Sequence, residues 1–251
     1  MSTRSSLFFS RNLNIFTGKQ VFTHYTAVRY GIGSKVFLSW LTLFLIISYN
    51  DCMRWIIVGL GNPGGEYAKT RHNAGRIVLE QIRKKFDFPI WEYKKTYDAL
   101  ASHGEIAGVE VLLLEPETFM NDSGKSLLTL VKSKDQAVQL IVVHDDADLP
   151  TGSWRSARDR GAGGQKGVES IIATIKTRDF YRFRIGIAPD ITPDAPRQKA
   201  GDFVLEKFTA DELSSIKGRS IGIAERILFL ITEGHQAFKN TIKNIKPLDP
   251  P

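Results

Sequence analysis

The sequence predicts a single α/β domain, built on a mixed, mostly parallel twisted sheet with helices on both faces. Three observations carry this expectation. Short apolar runs rich in β-branched residues recur at 55–60, 109–114, 140–144 and 182–187. Amphipathic stretches separate them, and glycine-rich loops sit beside the first run and before a later helix. With 251 residues, 42% hydrophobic and 24% charged, the chain can bury one substantial core.

Residues 55–60 (WIIVGL) form a continuous apolar run closed by glycines, the pattern of a buried strand. Residues 75–86 then place Ile77, Val78, Ile82 and Phe86 at helical spacing. The runs 109–114 and 140–144 (LIVVH) predict two further buried strands. Between them, 123–131 reads as a helix with Ser123 as candidate cap and Leu127, Leu128 and Val131 facing inward. Residues 167–175 predict another helix, and 182–187 (RFRIGI) another strand. The last helix spans about 211–234, opened by Thr209-Ala-Asp-Glu212 at capping-box spacing. The domain is expected over 53–242, followed by a flexible tail at 243–251.

The first 52 residues read differently. They hold Arg4, Arg11, Lys19, Arg29 and Lys35 against Asp51 alone, so over half of the net +7 lies there. Overall charge is therefore weak evidence for a nucleic-acid partner of the folded part. Residues 36–49 (VFLSWLTLFLIISY) form a largely apolar, uncharged run of fourteen, short of the roughly 20 a spanning helix needs. Three readings stand: a signal peptide or anchor, an organellar targeting sequence, or a mis-assigned start with translation beginning at Met53. The cytoplasm is the expected location, and an organelle the alternative if the extension is a targeting sequence. A lone cysteine, Cys52, excludes an internal disulfide and a Cys-based zinc site, and fits a reducing compartment.

Gly59-Leu-Gly61-Asn62-Pro63-Gly64 formally matches the dinucleotide fingerprint G-x-G-x-x-G. Pro63 removes a backbone N–H from the turn that would hold a pyrophosphate. Asp87 lies at the spacing of the ribose-binding acid, but no apolar strand precedes it and Pro89 follows. A nucleotide-binding oxidoreductase is thus an alternative that cofactor absorbance on purification would reveal.

A histidine on a loop is more often structural than catalytic, the reading given to His24, His103 and His235. His72 differs, because it falls between an apolar strand and an amphipathic helix, at the sheet edge where α/β proteins place their sites. Asp145 ends another buried run and would emerge at the same edge. A carboxylate bonded to one imidazole nitrogen fixes the tautomer and strengthens the other nitrogen as a base. With no Ser or Cys in a nucleophile-elbow setting, such a pair would activate water directly. The run His144-Asp145-Asp146-Ala-Asp148 also offers ligands for a divalent ion. Neighbouring strand side chains alternate faces, however, so no metal is expected.

Three blocks carry a family resemblance: 59–75 (GLGNPGGEYAKTRHNAG), 118–125 (TFMNDSGK) and 144–150 (HDDADLP). In order and spacing they resemble the motifs of bacterial-type peptidyl-tRNA hydrolases, and Phe203-Val204-Leu205 fits as well. The resemblance covers nearly all of 54–240. It implies an esterase that frees peptides from peptidyl-tRNA as a monomer, without metal, organic cofactor or obligate protein partner. By the same resemblance His72 is the general base and Asp145 its orienter. Asn62 and Asn121 would bind the ester and peptide carbonyl, with Asn62 helping to distinguish blocked from free aminoacyl ends. Tyr67 and Phe119 would line the channel near the terminal adenosine, and Arg184 would meet the terminal 5′-phosphate. Plain alternatives are turn asparagines and packing aromatics.

Two departures stand out. The family pattern His-Asn-Gly, whose Asn positions the catalytic water, is Gln165-Lys166-Gly167 here, which makes Lys166 a substrate contact of different chemistry. The family's lysine partner of Arg184 falls on Ala157, leaving Arg155 or Arg158 to substitute. Glycines at 161, 163 and 164 precede a helix, so free N–H groups there could attract phosphate or a developing oxyanion. Arg155, Arg158 and Arg160 before them, and Arg178, Arg182 and Arg184 after, suit tRNA phosphates or a solvated face. A binding module that holds RNA without cutting it is the competing class, and the intact His72 and Asp145 favour the enzyme.

Overall fold

The four apolar runs lie side by side as the centre of a seven-stranded sheet. The computed structural model describes residues 54–189 and 200–244. The apolar run at 36–49, the rest of the extension and residues 245–251 of the tail lie outside the described residues.

Strands β1 (Trp55–Gly59), β4 (Val109–Pro116), β5 (Leu140–Pro150) and β7 (Tyr181–Ala188) pair in parallel in the order β4-β1-β5-β7. Beyond β4 the sheet continues antiparallel through β3 (Ala99–Ile106) and β2 (Glu92–Lys94). Beyond β7 it ends in antiparallel β6 (Trp154–Arg158). The sheet is thus mixed, parallel in its four central strands and antiparallel at both edges.

Alternation along the strands sends residues to two cores. Ile57, Val143 and Phe183 pack on one face against Val78 and Ile82 of α1 (Ala74–Lys85) and Ile223 and Ile227 of α5 (Ala210–Asn244). Val58, Leu112 and Val142 pack on the other against Val168 and Ile171 of α3 (Lys166–Ile175), and against Leu127. Two single-turn helices, α2 (Lys134–Ala137) and α4 (Ala200–Phe203), complete the order. Each such side chain withdrawn from water contributes about 1.5–3 kcal/mol, so the sheet edge that bears the site rests on well-buried strands.

Two expectations need correction. The helix expected at 123–131 is a 3-10 segment over Met120–Leu127, in which the Ser123 hydroxyl donates to the Met120 carbonyl at 2.9 Å instead of capping. Leu127 and Val131 are buried, but Leu128 is exposed. Close packing explains the tighter winding: a Cβ on Gly124 would lie 2.4 Å from the Ser170 carbonyl oxygen of α3. Strand β5 also runs six residues past the apolar stretch, to Pro150. The capping box forms as expected, with Thr209 N–H donating to Glu212 Oε2 at 2.8 Å and Glu212 N–H to Thr209 Oγ1 at 3.3 Å. Gly234, at φ 77°, interrupts α5 where the sequence places its end, and the helix resumes to Asn244. Among the described residues, no helix is long and apolar enough to cross a membrane.

Candidate active site

The loop after β1 does not lead straight into a helix. It makes a turn through 64–70, a 3-10 turn at Arg71–Asn73, and only then begins α1. Gly75 lets that helix start hard against the sheet, since a Cβ there would sit 2.3 Å from the Val143 carbonyl oxygen. His72 is therefore held beside the middle of β5, just beyond the point where β1 ends.

Three restraints fix it. Asn73, buried, grips the backbone of Asn62 with both ends of its amide, donating to the carbonyl and accepting from the N–H at 2.9 Å each. The segment before α5 pairs with the loop: His72 N–H donates to the Val204 carbonyl at 2.8 Å, and Arg71 N–H to that of Glu206 at 2.9 Å. The Arg71 guanidinium donates to the Ile187 carbonyl at 3.0 Å and meets Glu212 at 2.8 Å. Burial alone would raise the Glu212 carboxyl, but the Thr209 N–H and Arg71 together hold it below its usual range.

The imidazole Nδ1 of His72 lies 2.8 Å from Asp145 Oδ2, with the carboxylate almost wholly buried. Asp145 Oδ1 accepts the Gln165 amide at 2.8 Å, and the same amide nitrogen reaches the Met120 sulfur at 3.2 Å. Met120 N–H in turn donates to Asn62 Oδ1 at 2.9 Å. One chain of bonds therefore joins the loop after β1, the segment after β4 and strand β5 to the start of α3. Asn62 keeps its amide nitrogen as the group able to donate outward.

These residues line a cleft of about 1080 Å³. His72, Asp145, Asn62, Phe119, Asn121, Lys166 and Arg184 all border it, with Phe119, Asn121 and Lys166 exposed. Tyr67 does not; it is half-buried in the preceding turn, where its carbonyl accepts both the N–H and the hydroxyl of Thr70. Arg184 binds Asp146 through Nε. Arg158 is drawn away to Asp179, at 2.5 and 3.1 Å, and to the Tyr181 hydroxyl. Arg155 stands directly across from Arg184 in the β6–β7 pairing and is exposed in the cleft wall, the better placed of the two candidate partners. Among the described residues, no group of three or more His, Cys, Asp or Glu side chains converges to hold a metal ion.

Sequence reasoning missed Gln165, Met120 and Asn73 as parts of this network. Gln165 Oε1 also caps α3, accepting the Val168 N–H at 2.8 Å, a use of glutamine outside the usual capping residues. The only signal was position, immediately after the glycine pair and before the helix.

An α/β sheet with a His–carboxylate pair over its parallel central strands, bordering an open cleft, has the architecture of a hydrolase. The comparisons with known proteins name the family. The peptidyl-tRNA hydrolase family model matches residues 56–249, and the chain belongs to that family. It is 35% identical over 182 residues to the peptidyl-tRNA hydrolase of Thermodesulfovibrio yellowstonii, covering 71% of this chain and 93% of the relative. To that of Carboxydothermus hydrogenoformans it is 40% identical over 181 residues, 72% and 93% of the two chains. The crystal structure of the Acinetobacter baumannii peptidyl-tRNA hydrolase superposes with a TM-score of 0.66 at 32% identity, over 77% of this chain and 96% of that one.

Proposed function

We propose that this chain hydrolyses the ester joining a peptide's carboxyl end to the terminal ribose of peptidyl-tRNA, with His72 as general base and Asp145 as its orienter. The single observation that carries the reading is the 2.8 Å bond from His72 Nδ1 to a carboxylate that is buried and pinned by Gln165. That bond keeps the proton on Nδ1 and leaves Nε2 with a free lone pair.

In the first step Nε2 takes a proton from water as the water oxygen attacks the ester carbonyl. Negative charge on the tetrahedral intermediate meets the donors lining the cleft, the Asn62 and Asn121 amides and the Lys166 ammonium. Collapse then breaks the bond to the ribose oxygen, which recovers the proton from the His72 imidazolium. Exposed Phe119 offers an aromatic face for the terminal base, and Arg184 with Arg155 offers charge for the terminal phosphate. Tyr67 would help only through the shape of its turn. The same reading takes the protein as a cytoplasmic monomer with no obligate protein partner, and needs neither metal nor organic cofactor.

Incubation with an N-acetylated aminoacyl-tRNA and its unblocked counterpart tests this. Release of the blocked amino acid at a rate at least about tenfold higher is expected. Equal rates, or no release of either, would overturn the proposal.

A further inference from the structure

Arg182 is the part of the cleft wall that the hydrolytic reading leaves unused. It is 2% exposed, and its Nη1 donates to the Gly161 carbonyl at 2.8 Å. Its Nε and Nη2 are buried without any hydrogen-bond partner. Those two nitrogens form the side edge of the guanidinium, whose parallel N–H bonds match two oxygens of one phosphate or carboxylate. The nearby carboxylates, Asp146 and Asp159, are engaged by Arg184 and Arg178, and the guanidinium carbon lies 5.9 Å from the Phe180 ring centroid. Burial, with Arg184 and Arg160 close by, pulls Arg182 below the usual arginine range. A buried cation lacking a counter-ion is destabilising, and such groups call for an explanation beyond packing.

The surroundings supply more donors. Gly163 and Gly164 adopt left-handed backbone geometry at φ 62° and 81°, with nothing within 4 Å of where a Cβ would stand. Among the described residues their N–H groups have no acceptor. They lie at the amino end of α3, whose dipole favours an anion. Across the β6–β7 pairing the neighbour of Arg182 is Ala157, which offers only a methyl group. All four residues border the cleft, as does exposed Arg160.

We propose that Arg182, with the N–H groups of Gly163 and Gly164, forms a binding subsite for a phosphodiester of the RNA acceptor strand, separate from the site at Arg184. The assignment to RNA rests on the hydrolytic reading above, because the peptide carboxyl is esterified in that substrate and phosphates are the oxyanions that remain.

The test is binding of deacylated tRNA to the full chain, to Arg182→Met and to Arg182→Lys over a range of salt. Loss of one phosphate contact should weaken binding about tenfold in Arg182→Met and make the log–log salt slope shallower by about 0.7–0.9. Arg182→Lys, which keeps the charge and loses the paired edge, should recover part of both. The melting temperature of Arg182→Met should not fall, since an uncompensated charge is removed. A folded Arg182→Met with the wild-type slope would overturn the subsite, as would a lower melting temperature with no change in binding. Should that variant fail to fold, the Gly163 and Gly164 amide resonances of the wild type decide: they shift on saturation with tRNA, and unmoved resonances sink the proposal. Shifts with inorganic phosphate but not with tRNA would replace the RNA assignment by a free-phosphate site. Weaker binding and a shallower slope in Arg182→Met, beside a wild type that hydrolyses nothing, would uphold the subsite and refute the hydrolytic reading.

Discussion

Gln165 holds Asp145 by one end of its amide and caps α3 with the other, at 2.8 Å in both bonds. The two tasks can be separated. Gln165→Glu keeps an oxygen to accept the Val168 N–H but replaces the donor to Asp145 by a second carboxyl. The fold should survive, while turnover near neutral pH falls by about 10–10²-fold. Two carboxyls in contact share a proton at low pH, so part of the loss should recover as pH is lowered. A pH-independent loss, or none, would show that the Asp145 contact is not what matters.

Asp145→Asn tests the orienter itself. An asparagine can still meet Nδ1 but carries no charge to stabilise the imidazolium that forms during turnover. Turnover should drop at least about tenfold. Turnover within a few-fold of wild type would mean that the bond at 2.8 Å has no electrostatic role in the reaction.

Glu115 makes the fold pH-sensitive. Burial outweighs its partner Arg76, at 3.1 Å, and pushes the carboxyl from 4.5 up to about 7. The folded state therefore holds this proton more tightly than the unfolded chain. Its contribution to stability is complete below about 4.5 and is lost as pH rises through about 7. Glu115→Gln should remove that decline, which is on the order of 3 kcal/mol, while Arg76 keeps Glu117 at 2.6 Å. Denaturation curves from pH 4 to 8 check it, and parallel pH dependence in the two proteins would contradict it.

Much of this was legible in the sequence wherever one strand or one helix decided the outcome. Strands β1, β4, β5 and β7 announce themselves because they are buried on both faces. β3 does not, since Ala99, Ser102, His103 and Gly104 break its pattern, and Gly104 is needed where Phe88 packs against the strand. β2 and β6 are edge strands with polar, partly exposed residues and carry little periodic signal. In the site, His72 was legible because it falls between a buried run and an amphipathic helix, and Asp145 because it follows a buried run. The Gln165–Asp145 bond was not, because it joins a strand to a helix cap twenty residues further on. Nor could the sequence say that Asp179 would claim Arg158 and leave Arg155 facing Arg184.

Lys166 is the chain's own variation at the site. It is the first residue of α3, exposed, and borders the cleft. An ammonium donates but cannot accept, so it can stabilise negative charge but cannot hold water by accepting its proton. If it serves the tetrahedral intermediate, Lys166→Met should lower kcat by about 10²-fold with KM nearly unchanged. Lys166→Asn, which keeps a donor but loses the charge, should fall between Lys166→Met and wild type in kcat. Unchanged kcat, KM and pH profile in both variants would make Lys166 a bystander.

The most direct measurement is the turnover of N-acetylated aminoacyl-tRNA by folded His72→Ala, read beside its affinity for deacylated tRNA. General-base catalysis predicts a loss of at least about 10²-fold in kcat, with affinity and melting temperature close to wild type. A folded His72→Ala that hydrolyses the ester at a rate within a few-fold of wild type would contradict the account.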